Sequence, residues 1–332
     1  MNPRSNMQEG RARCPQRAAS KPNASGSLRP AEDSGPYLVA LLFLISLLTA
    51  CTHSNRTVVV YTSQDQIYAE PLLAEFTRQT GIQVLPVFDS ESVKTAGLAQ
   101  RLLAEKSNPR ADIFWSNEEM VSWHLAELGA LDTNAWAKAG YRTRRLIINT
   151  NFVSPANAPK SLAELTDPKW SGHVAMAYPV YGTTAAHMVA LRESWGDQKW
   201  RVWCEKFAAN KPFIVDGNSL VVRLVGNGEA WIGLTDSDDF AAGLANKLPI
   251  ASLPITTDLL AIPTSVGIVN GAPHRAEAQE FSKFAVSTGT ISALVKSGAL
   301  EGSNCASNRL TLKQPAPLDE TRALLEKLFA RQ

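Results

Sequence analysis

From residue 57 onward, short apolar runs rich in β-branched residues alternate with segments whose apolar residues recur at helical spacing. Residues 57–61 have the pattern of a buried strand, and residues 66–79 that of a helix with Ile67, Leu72 and Phe76 on its apolar face. The alternation continues to about residue 300. This order predicts an α/β fold in which mainly parallel sheets are covered by helices on both faces.

The pattern divides into two series, which we interpret as two lobes. Further predicted strands are 82–87, 111–115, 173–177, 213–215, 231–234 and 250–253, and further predicted helices are 94–104, 118–128, 184–195, 197–209, 219–225 and 275–288. The apolar segments 145–149 and 262–269 bracket the second series and have the character of crossovers. We therefore expect residues 57–147 plus 265–332 to form lobe 1, residues 150–260 to form lobe 2, and a hinge to link them.

The composition supports compact domains and excludes some functions. A chain of 332 residues is too long for one ordinary core and suits about two domains. Hydrophobic residues make up 45% and charged residues 19%, which argues against wholesale disorder. The net charge of +2 argues against a surface that neutralises nucleic-acid phosphates, so we expect no nucleic acid as a partner.

The N-terminal part has the character of an export signal. Residues 1–36 are rich in Pro, Ser, Gly and Arg, and we interpret them as a disordered leader. Residues 37–51 form a charge-free apolar run that ends in Leu-Thr-Ala-Cys and is shorter than the roughly 20 residues of a membrane-spanning helix. Because this ending resembles a bacterial lipobox, we expect a signal peptide, lipidation at Cys51 and an exported protein that is lipid-anchored on the periplasmic or cell-surface side. An uncleaved apolar anchor is the alternative.

The loops that follow the predicted strands are acidic. Ligands of doubly wound folds bind beyond the carboxyl ends of the strands, where these loops lie. The acidic residues are Asp65 after the first strand, Asp89 and Glu91 after the second, Glu118 after the third, and Asp236, Asp238 and Asp239 in an Asp-Ser-Asp-Asp segment. Carboxylates that converge from two lobes would bind a hard metal cation through oxygen, or an organic cation through charge and hydrogen bonds. Ordinary helix capping is the alternative for each of them.

Other features of these loops also bear on a ligand. The close carboxylates of the Asp-Ser-Asp-Asp segment repel one another unless something compensates them. The turn at residues 181–183 and the helix start at Asn218 could offer N–H groups to an anion. Aromatic residues that could surround a cation are Tyr61, Trp115, Tyr178, Tyr181 and Phe240.

Motifs of catalysis and of cofactor binding are absent from the sequence. It contains no GxSxG, Walker A or SxxK pattern, no HExxH pair and no CxxC, and Cys204 and Cys305 are the only cysteines after Cys51. We therefore expect neither an enzyme nor a required cofactor. An enzyme or a sensor lipoprotein on the same fold is the alternative of a different class.

Several segments, in their order along the chain, resemble one protein family. They are VVVYTSQDQIYAEPLLAEFTRQTGI, ADIFWSNEE, SLAELTDPKWSGHVAMAYP, DGNSLVVRLVGNGEAWIGLTDSDD and GIVNGAPHRAEAQEF. With them, the chain resembles the extracellular solute-binding proteins of ABC importers, in particular their ferric-iron-binding branch. The resemblance implies a type II periplasmic-binding-protein fold of two hinge-linked α/β lobes, which delivers its cargo to a membrane permease and ATPase. We also expect a monomer.

The resemblance implies roles for individual residues. Asp65 stands where the iron branch has a His or acidic ligand. Asn117, with Glu118 beside it, stands at the acidic position after the third strand. Asp238 and Asp239 replace the pair of adjacent tyrosines that hold Fe³⁺, so the usual ferric ligands are changed here.

The turn at residues 181–183 corresponds to the turn that holds a synergistic anion, with Asn218 and Asp236 at the Asn positions of that site. The predicted ligand-binding residues are Ser63, Asp65, Asp89, Glu91, Asn117, Glu118, Tyr181, Gly182, Thr183, Asn218, Asp236, Asp238 and Asp239, and the predicted metal ligands among them are Asp65, Asp238 and Asp239. The expected cargo is a metal cation, with ferric iron first. A small organic cation of thiamine or polyamine type, or another small molecule, is the alternative.

Overall fold

The computed structural model describes residues 56–88, 96–304, 308–311 and 318–330, which belong to one compact unit. The leader, the apolar run with Cys51, and the acidic residues Asp89 and Glu91 lie outside the described residues, so the predictions made for them stay predictions. Among the helices in the described ranges, none has both the length and the apolarity that crossing a membrane requires.

Nine strands and ten α-helices are found in the described residues. The strands are β1 (Thr57–Thr62), β2 (Gln83–Phe88), β3 (Ile113–Ser116), β4 (Leu131–Asn149), β5 (Val174–Ala177), β6 (Phe213–Val215), β7 (Ile232–Asp236), β8 (Ile250–Ser252) and β9 (Ala261–Val269). The helices are α1 (Gln66–Thr80), α2 (Ala96–Ala104), α3 (Met120–Glu127), α4 (Gly182–Trp195), α5 (Asp197–Ala209), α6 (Asn218–Asn227), α7 (Ser237–Ala245), α8 (Arg275–Ala285), α9 (Thr288–Ser297) and α10 (Leu318–Leu328). Most predicted strands and helices lie within a few residues of their expected places, but the sequence pattern misses α7 and the first part of β4 and gives no bounds for α9 and α10.

The strands form two sheets that share the long strand β4. In the first sheet, β1 is parallel to β2 and β3, and β9 runs antiparallel to β3 and β4. In the second sheet, β5 is parallel to β6 and β7, and β4 runs antiparallel to β7 and β8. The α/β class is therefore confirmed. Each sheet is mixed rather than mainly parallel, because β4 and β9 run against their neighbours.

Strand β4 passes from one sheet to the other near its middle. Thr143 pairs with Ala261 of β9, and the next residue, Arg144, pairs with Asp236 of β7. The predicted crossover segment 145–149 is therefore the end of β4 and already belongs to the second sheet. The change of partner places residues 142–144 between the two sheets, where the candidate site lies.

Each sheet has its own apolar core. In the first core, Phe76 of α1 and Trp115 of β3 both pack edge-on against Phe281 of α8. The second core is built around Trp200 and Phe207 of α5, which are fully buried. The two cores hold the ends of the strands in place, and with them the loops that carry the acidic residues.

Two packing predictions differ from the structure. Ile67 is 77% exposed, because it lies nine residues before Phe76 and each residue turns an α-helix by about 100°, which puts the two on opposite sides of α1. Helix α10 packs against α4 and α5, although the sequence pattern places residues 265–332 in lobe 1. Leu325 and Phe329 join the second core, with the Phe329 ring 6.2 Å from that of Phe207.

Strand β7 lies so close to α6 that a side chain larger than hydrogen does not fit at position 233. A Cβ on Gly233 would lie 2.8 Å from Val221 Cγ1 and 2.8 Å from Val225 Cγ2. Gly233→Ala is therefore expected to lower the free energy of unfolding by about 1–3 kcal/mol, the usual cost of overpacking. The control is Gly289→Ala in α9, where the nearest atom, Ser287 Oγ, is 3.9 Å away and stability should be unchanged or slightly raised. Urea unfolding measures both, and equal stabilities of the two variants would contradict this packing.

Candidate functional site

A cavity of about 60 Å³ lies beyond the carboxyl ends of strands from both sheets. The residues of its wall are Asp65, Asn117, Arg142, Ala177, Tyr178, Tyr181, Gly182, Thr183, Thr184, Asp216, Gly217, Asn218, Asp236 and Asp239. Of the predicted ligand residues that the structure describes, Ser63, Glu118 and Asp238 are not in this wall. The cavity has room for an ion or a few water molecules, whereas pockets for drug-sized ligands measure about 300–1,000 Å³.

The loops after β1 and β3 bring Asp65 and Asn117 to the cavity. Ser63 ties these loops together, because its Oγ donates to Asn117 Oδ1 at 3.2 Å and accepts the Asn117 N–H at 3.0 Å. Asp65 stands at the N-cap position of α1, yet its side chain makes no capping hydrogen bond to the helix. Asp65 lines the cavity instead.

Glu118 does not reach the cavity. It is 1% exposed, and its carboxylate accepts the N–H groups of Met120 at 2.6 Å and Val121 at 3.2 Å at the start of α3. Burial raises the pKa of Glu118 to about 7, although these hydrogen bonds favour the charged form. The capping alternative therefore describes the geometry of Glu118 better than a ligand role does.

Two arginines that the sequence analysis does not single out lie at the centre of the site. Arg142 and Arg144 are 5% and 0% exposed. Because side chains alternate along a strand, residues two apart on β4 point to the same side, and both reach the Asp-Ser-Asp-Asp segment. A signal in the sequence could have located them. The two arginines are spaced Arg-x-Arg next to an apolar run, and the close aspartates of this chain need positive charge to balance them.

Asp236, the last residue of β7, is held by four side chains. Arg144 Nη1 donates to its Oδ1 at 2.6 Å, and Arg142 Nη2 lies 3.4 Å from its Oδ2. Thr183 Oγ1 and Asn218 Nδ2 donate to Oδ2 at 2.6 Å and 3.1 Å. Burial disfavours the charged form of Asp236, but the charges of Arg144 and Arg142 outweigh that effect and hold its pKa below the usual value. Asp236 is therefore a carboxylate that the protein itself binds.

Asp238 is the second partner of the buried arginines. It is 2% exposed, and its Oδ2 accepts a hydrogen bond from Arg142 Nη1. Its other oxygen, Oδ1, is buried without a hydrogen-bond partner. Burial raises the pKa of Asp238 to about 6, and the neighbouring carboxylates of Asp236 and Asp65 add to the rise, although Arg142 opposes it. The compensation that the aspartates require is thus supplied in large part by β4.

The carboxylates of the Asp-Ser-Asp-Asp segment are close enough to share one cation. Oxygen atoms of Asp236, Asp238 and Asp239 lie within 4.8 Å of one another. Two oxygens that each stand about 2.0–2.6 Å from one metal ion are at most about 5 Å apart, so the spacing is compatible with coordination. Since Asp236 and Asp238 are both engaged by the buried arginines, Asp239 is the member of the three whose position in the cavity wall suits a ligand role.

Tyrosines stand beside these acidic residues. Tyr178 and Tyr181 line the cavity, with their ring centroids 6.1 Å apart. Tyr68 of α1 is a further residue that the sequence analysis missed. Burial, followed by the negative charge of three site aspartates, raises the pKa of Tyr68 to about 12, so this phenol is neutral at physiological pH.

The other aromatic residues considered for a cation-binding wall do not line the cavity. Tyr61 Oη donates to Glu105 Oε2 at 3.0 Å, and Trp115 is packed in the first core. Phe240 packs against an apolar cluster of the second sheet. Tyr178 and Tyr181 are thus the members of that group which face the site.

The fold and the cavity agree with the family that the chain matches. Residues 57–299 match the bacterial extracellular solute-binding protein family. The chain belongs to this family. The matched range includes both sheets and every residue of the cavity wall, so the candidate site lies within the part of the chain that family membership covers.

One similar protein is the major ferric iron-binding protein of Neisseria meningitidis serogroup A. It is 26% identical to this solute-binding protein over 208 residues, which are 56% of this chain and 60% of that protein. The chain therefore spans less than two thirds of that relative's length.

Solved structures of similar fold include iron-bound HitA from Pseudomonas aeruginosa, with a TM-score of 0.72 and 21% identity over 82% of this chain and 99% of that one. Another is AfuA from Actinobacillus pleuropneumoniae with fructose-6-phosphate bound, with a TM-score of 0.67 and 19% identity over 82% and 97% of the two chains. These likenesses confirm the two-lobed type II periplasmic-binding-protein fold. Because one neighbour was solved with iron and the other with a sugar phosphate, the fold alone does not decide the cargo.

His187 of α4 lies close to the buried arginines as a neutral imidazole. It is 0% exposed, and its Nε2–H donates to the carbonyl oxygen of Asp258 at 2.7 Å. Burial, together with the positive charge of Arg144, lowers the pKa of His187 from 6.5 to about 3. The protonated form is thus strongly disfavoured in the folded protein.

This burial predicts a pH dependence of stability. Because the pKa of His187 is lower in the folded state, the unfolded chain binds the proton first, and the stability present above pH 6.5 is lost as the pH falls toward about 3. The group should contribute a slope of up to about 1.4 kcal/mol per pH unit in that window. His187→Gln, whose amide still donates to Asp258, should show a slope that is smaller by this amount in urea unfolding. Parallel stability curves for the variant and the parent protein would contradict a buried neutral imidazole.

Proposed function

We propose that the protein is the substrate-binding component of an ABC importer, which captures a metal cation, ferric iron first, and delivers it to a membrane permease and its ATPase. The observation that carries the proposal is that Asp65, from the first sheet, and Asp239, from the second, line one small cavity. Membership of the extracellular solute-binding family and the ferric iron-binding relative support it.

The charge of the cavity wall favours a cation. The wall contains Asp65, Asp216, Asp236 and Asp239, and Asp236 is paired with the buried Arg142 and Arg144. The other three aspartates give the wall its excess of negative charge. Inside a protein, charges act through a lower effective dielectric constant than in water, so a wall of this balance attracts cations and repels anions. A cation bound between Asp65 and Asp239 would contact both sheets at once.

The oxygen chemistry of the wall favours a hard metal ion. Carboxylates are ligands of hard cations, and Asp238 and Asp239 take the positions at which the iron branch has its tyrosine pair. Phenol oxygens are nevertheless present on the same wall, in Tyr178 and Tyr181. The cavity of about 60 Å³ fits an ion with a small co-ligand far better than a vitamin or a sugar.

A small organic cation is the second candidate, and one observation favours it. The rings of Tyr178 and Tyr181 stand beside the carboxylates, and an ammonium group is attracted both to aromatic faces and to negative charge. Such a ligand requires a more open cleft than the one described. Binding, rather than a chemical reaction, is proposed for either cargo, because the family is one of solute-binding proteins.

Cargo capture is proposed to work by closure of the two sheets on each other. β4 belongs to both sheets, and a ligand that binds residues of both favours the closed arrangement over open ones. The ligand need only bind the closed state more tightly for the population to shift. Opening then releases the cargo to the permease.

Removing either carboxylate should weaken cargo binding. Asp65→Asn and Asp239→Asn each remove a charged ligand while keeping the size of the side chain, and each is expected to raise the Kd for ferric citrate by at least about tenfold. Isothermal titration calorimetry measures the change. A thermal-shift screen of the same proteins against divalent metals, thiamine and polyamines, with and without chelator, identifies the class of cargo.

The matched control is Asp319→Asn in α10, whose side chain is 83% exposed and which does not belong to the cavity wall. It should bind the cargo like the parent protein. Unchanged affinity in both cavity variants would remove the acidic wall from the binding site. Stabilisation by an organic compound that chelator does not reverse would replace the metal by the second candidate.

We also propose that the protein is anchored by a lipid at Cys51. The apolar run ending in Leu-Thr-Ala-Cys supports this, as does a family whose members act outside the cytoplasm. Growth of an expressing strain with labelled palmitate should label the parent protein and leave Cys51→Ser unlabelled. Equal labelling of the two would exclude this cysteine as the anchor.

A further inference from the structure

Four side chains form what we term the donor cradle, namely Arg142, Arg144, Thr183 and Asn218. Their donor atoms surround the two carboxylate oxygens of Asp236 at 2.6 to 3.4 Å. Asn218 is oriented by the same network, because its Oδ1 accepts a hydrogen bond from Arg144 Nη1 at 2.9 Å while its Nδ2 donates to Asp236. Each of the four side chains therefore directs a donor at the carboxylate of Asp236, while Arg142 Nη1 also donates to Asp238 Oδ2.

The cradle has the composition of an anion-binding site. Guanidinium groups bind carboxylate and phosphate oxygens through charge-assisted hydrogen bonds, and hydroxyl and amide donors complete such sites. Thr183 lies in the first turn of α4 and Asn218 in that of α6, helices of 14 and 10 residues whose N-termini favour negative charge. Since both arginines are buried, an anion must be present for them to be stable there.

The anion that occupies the cradle is part of the chain. Asp236 is 1% exposed and ends β7, where its backbone pairs in register with that of Arg144 on β4. A carboxylate fixed in this way has a very high effective concentration at the cradle, so a free anion would have to displace a tethered competitor.

We propose that Asp236 is a built-in anion that fills the donor cradle and thereby excludes phosphate- and carboxylate-bearing solutes from this side of the cleft. Asp65 and Asp239 line the cavity of the cleft. Because Asp236 and Asp238 already balance the charge of the two arginines, no anion from solution is needed there. Selection of cationic cargo by this exclusion rests on the proposed function. The occupancy of the cradle by Asp236 is independent of the proposed function.

The test is to empty the cradle and offer it free anions without any metal. In Asp236→Ala, Arg144 loses its carboxylate partner and Arg142 keeps only Asp238, so the variant should melt at a lower temperature and be stabilised in a saturable way by formate or inorganic phosphate. Its Kd for phosphate should be at least about tenfold lower than the highest phosphate concentration tested, over which the parent protein should show no saturable response. Thermal shift and calorimetry in anion-poor buffer measure both.

Two further variants separate the cradle from general charge effects. Asp236→Asn keeps the cradle filled, so it should be destabilised without gaining the response to anions. Asp197→Ala removes a half-exposed carboxylate that pairs with Arg192 and Arg201 on the surface, and should respond to anions like the parent protein. If Asp236→Ala is recovered only by refolding in formate or phosphate, that anion requirement supports the proposal.

Three results would overturn the proposal. One is binding of phosphate by the parent protein as tight as that of Asp236→Ala. Another is a folded Asp236→Ala that shows no saturable response, and the third is an Asp236→Ala that no anion restores. Because metal is absent throughout, these results are independent of whether the cargo is ferric iron, so failure of the cradle and failure of the proposed function are told apart.

Discussion

The burial of two guanidinium groups on β4 is the constraint on which the site depends. A buried charge is costly unless it is paired and hydrogen-bonded, so Arg142 and Arg144 require Asp236 and Asp238 beside them. That requirement fixes the end of β7 and the start of α7. Because Thr183 and Asn218 donate to the same carboxylate, the first turns of α4 and α6 are held at the same point.

The pairing divides the acidic residues into two groups with different roles. Asp236 and Asp238 balance the arginines inside the protein, whereas Asp65 and Asp239 line the cavity and give it negative charge. Without the arginines, the clustered aspartates would repel one another in the absence of cargo. With them, a cleft that prefers cations is compatible with a folded cargo-free state, which a solute-binding protein needs at every transport cycle.

The sequence predicts the α/β class, most strands and helices, and the edge of the sheets at which the acidic residues meet, because these follow from local periodicity. It does not predict the arginines, since Arg144 and Asp236 are 92 residues apart and become neighbours only through the pairing of β4 with β7. Glu118 is adjacent to Asn117 in sequence, yet it caps α3 while Asn117 lines the cavity, and that choice depends on side-chain direction. Helix α10 joins the second core through Leu325, and Phe329 follows directly after the helix, tertiary contacts with no local signal.

Crystals grown with ferric citrate, with diffraction recorded at the iron absorption edge, would test most directly whether the acidic cleft binds metal cargo. We predict an anomalous peak in the cavity at about 2.0–2.6 Å from carboxylate oxygens of Asp65 and Asp239. The Arg144–Asp236 contact should be unchanged beside it. An anomalous peak elsewhere on the molecule, or an organic ligand in the cleft with no metal, would contradict the account.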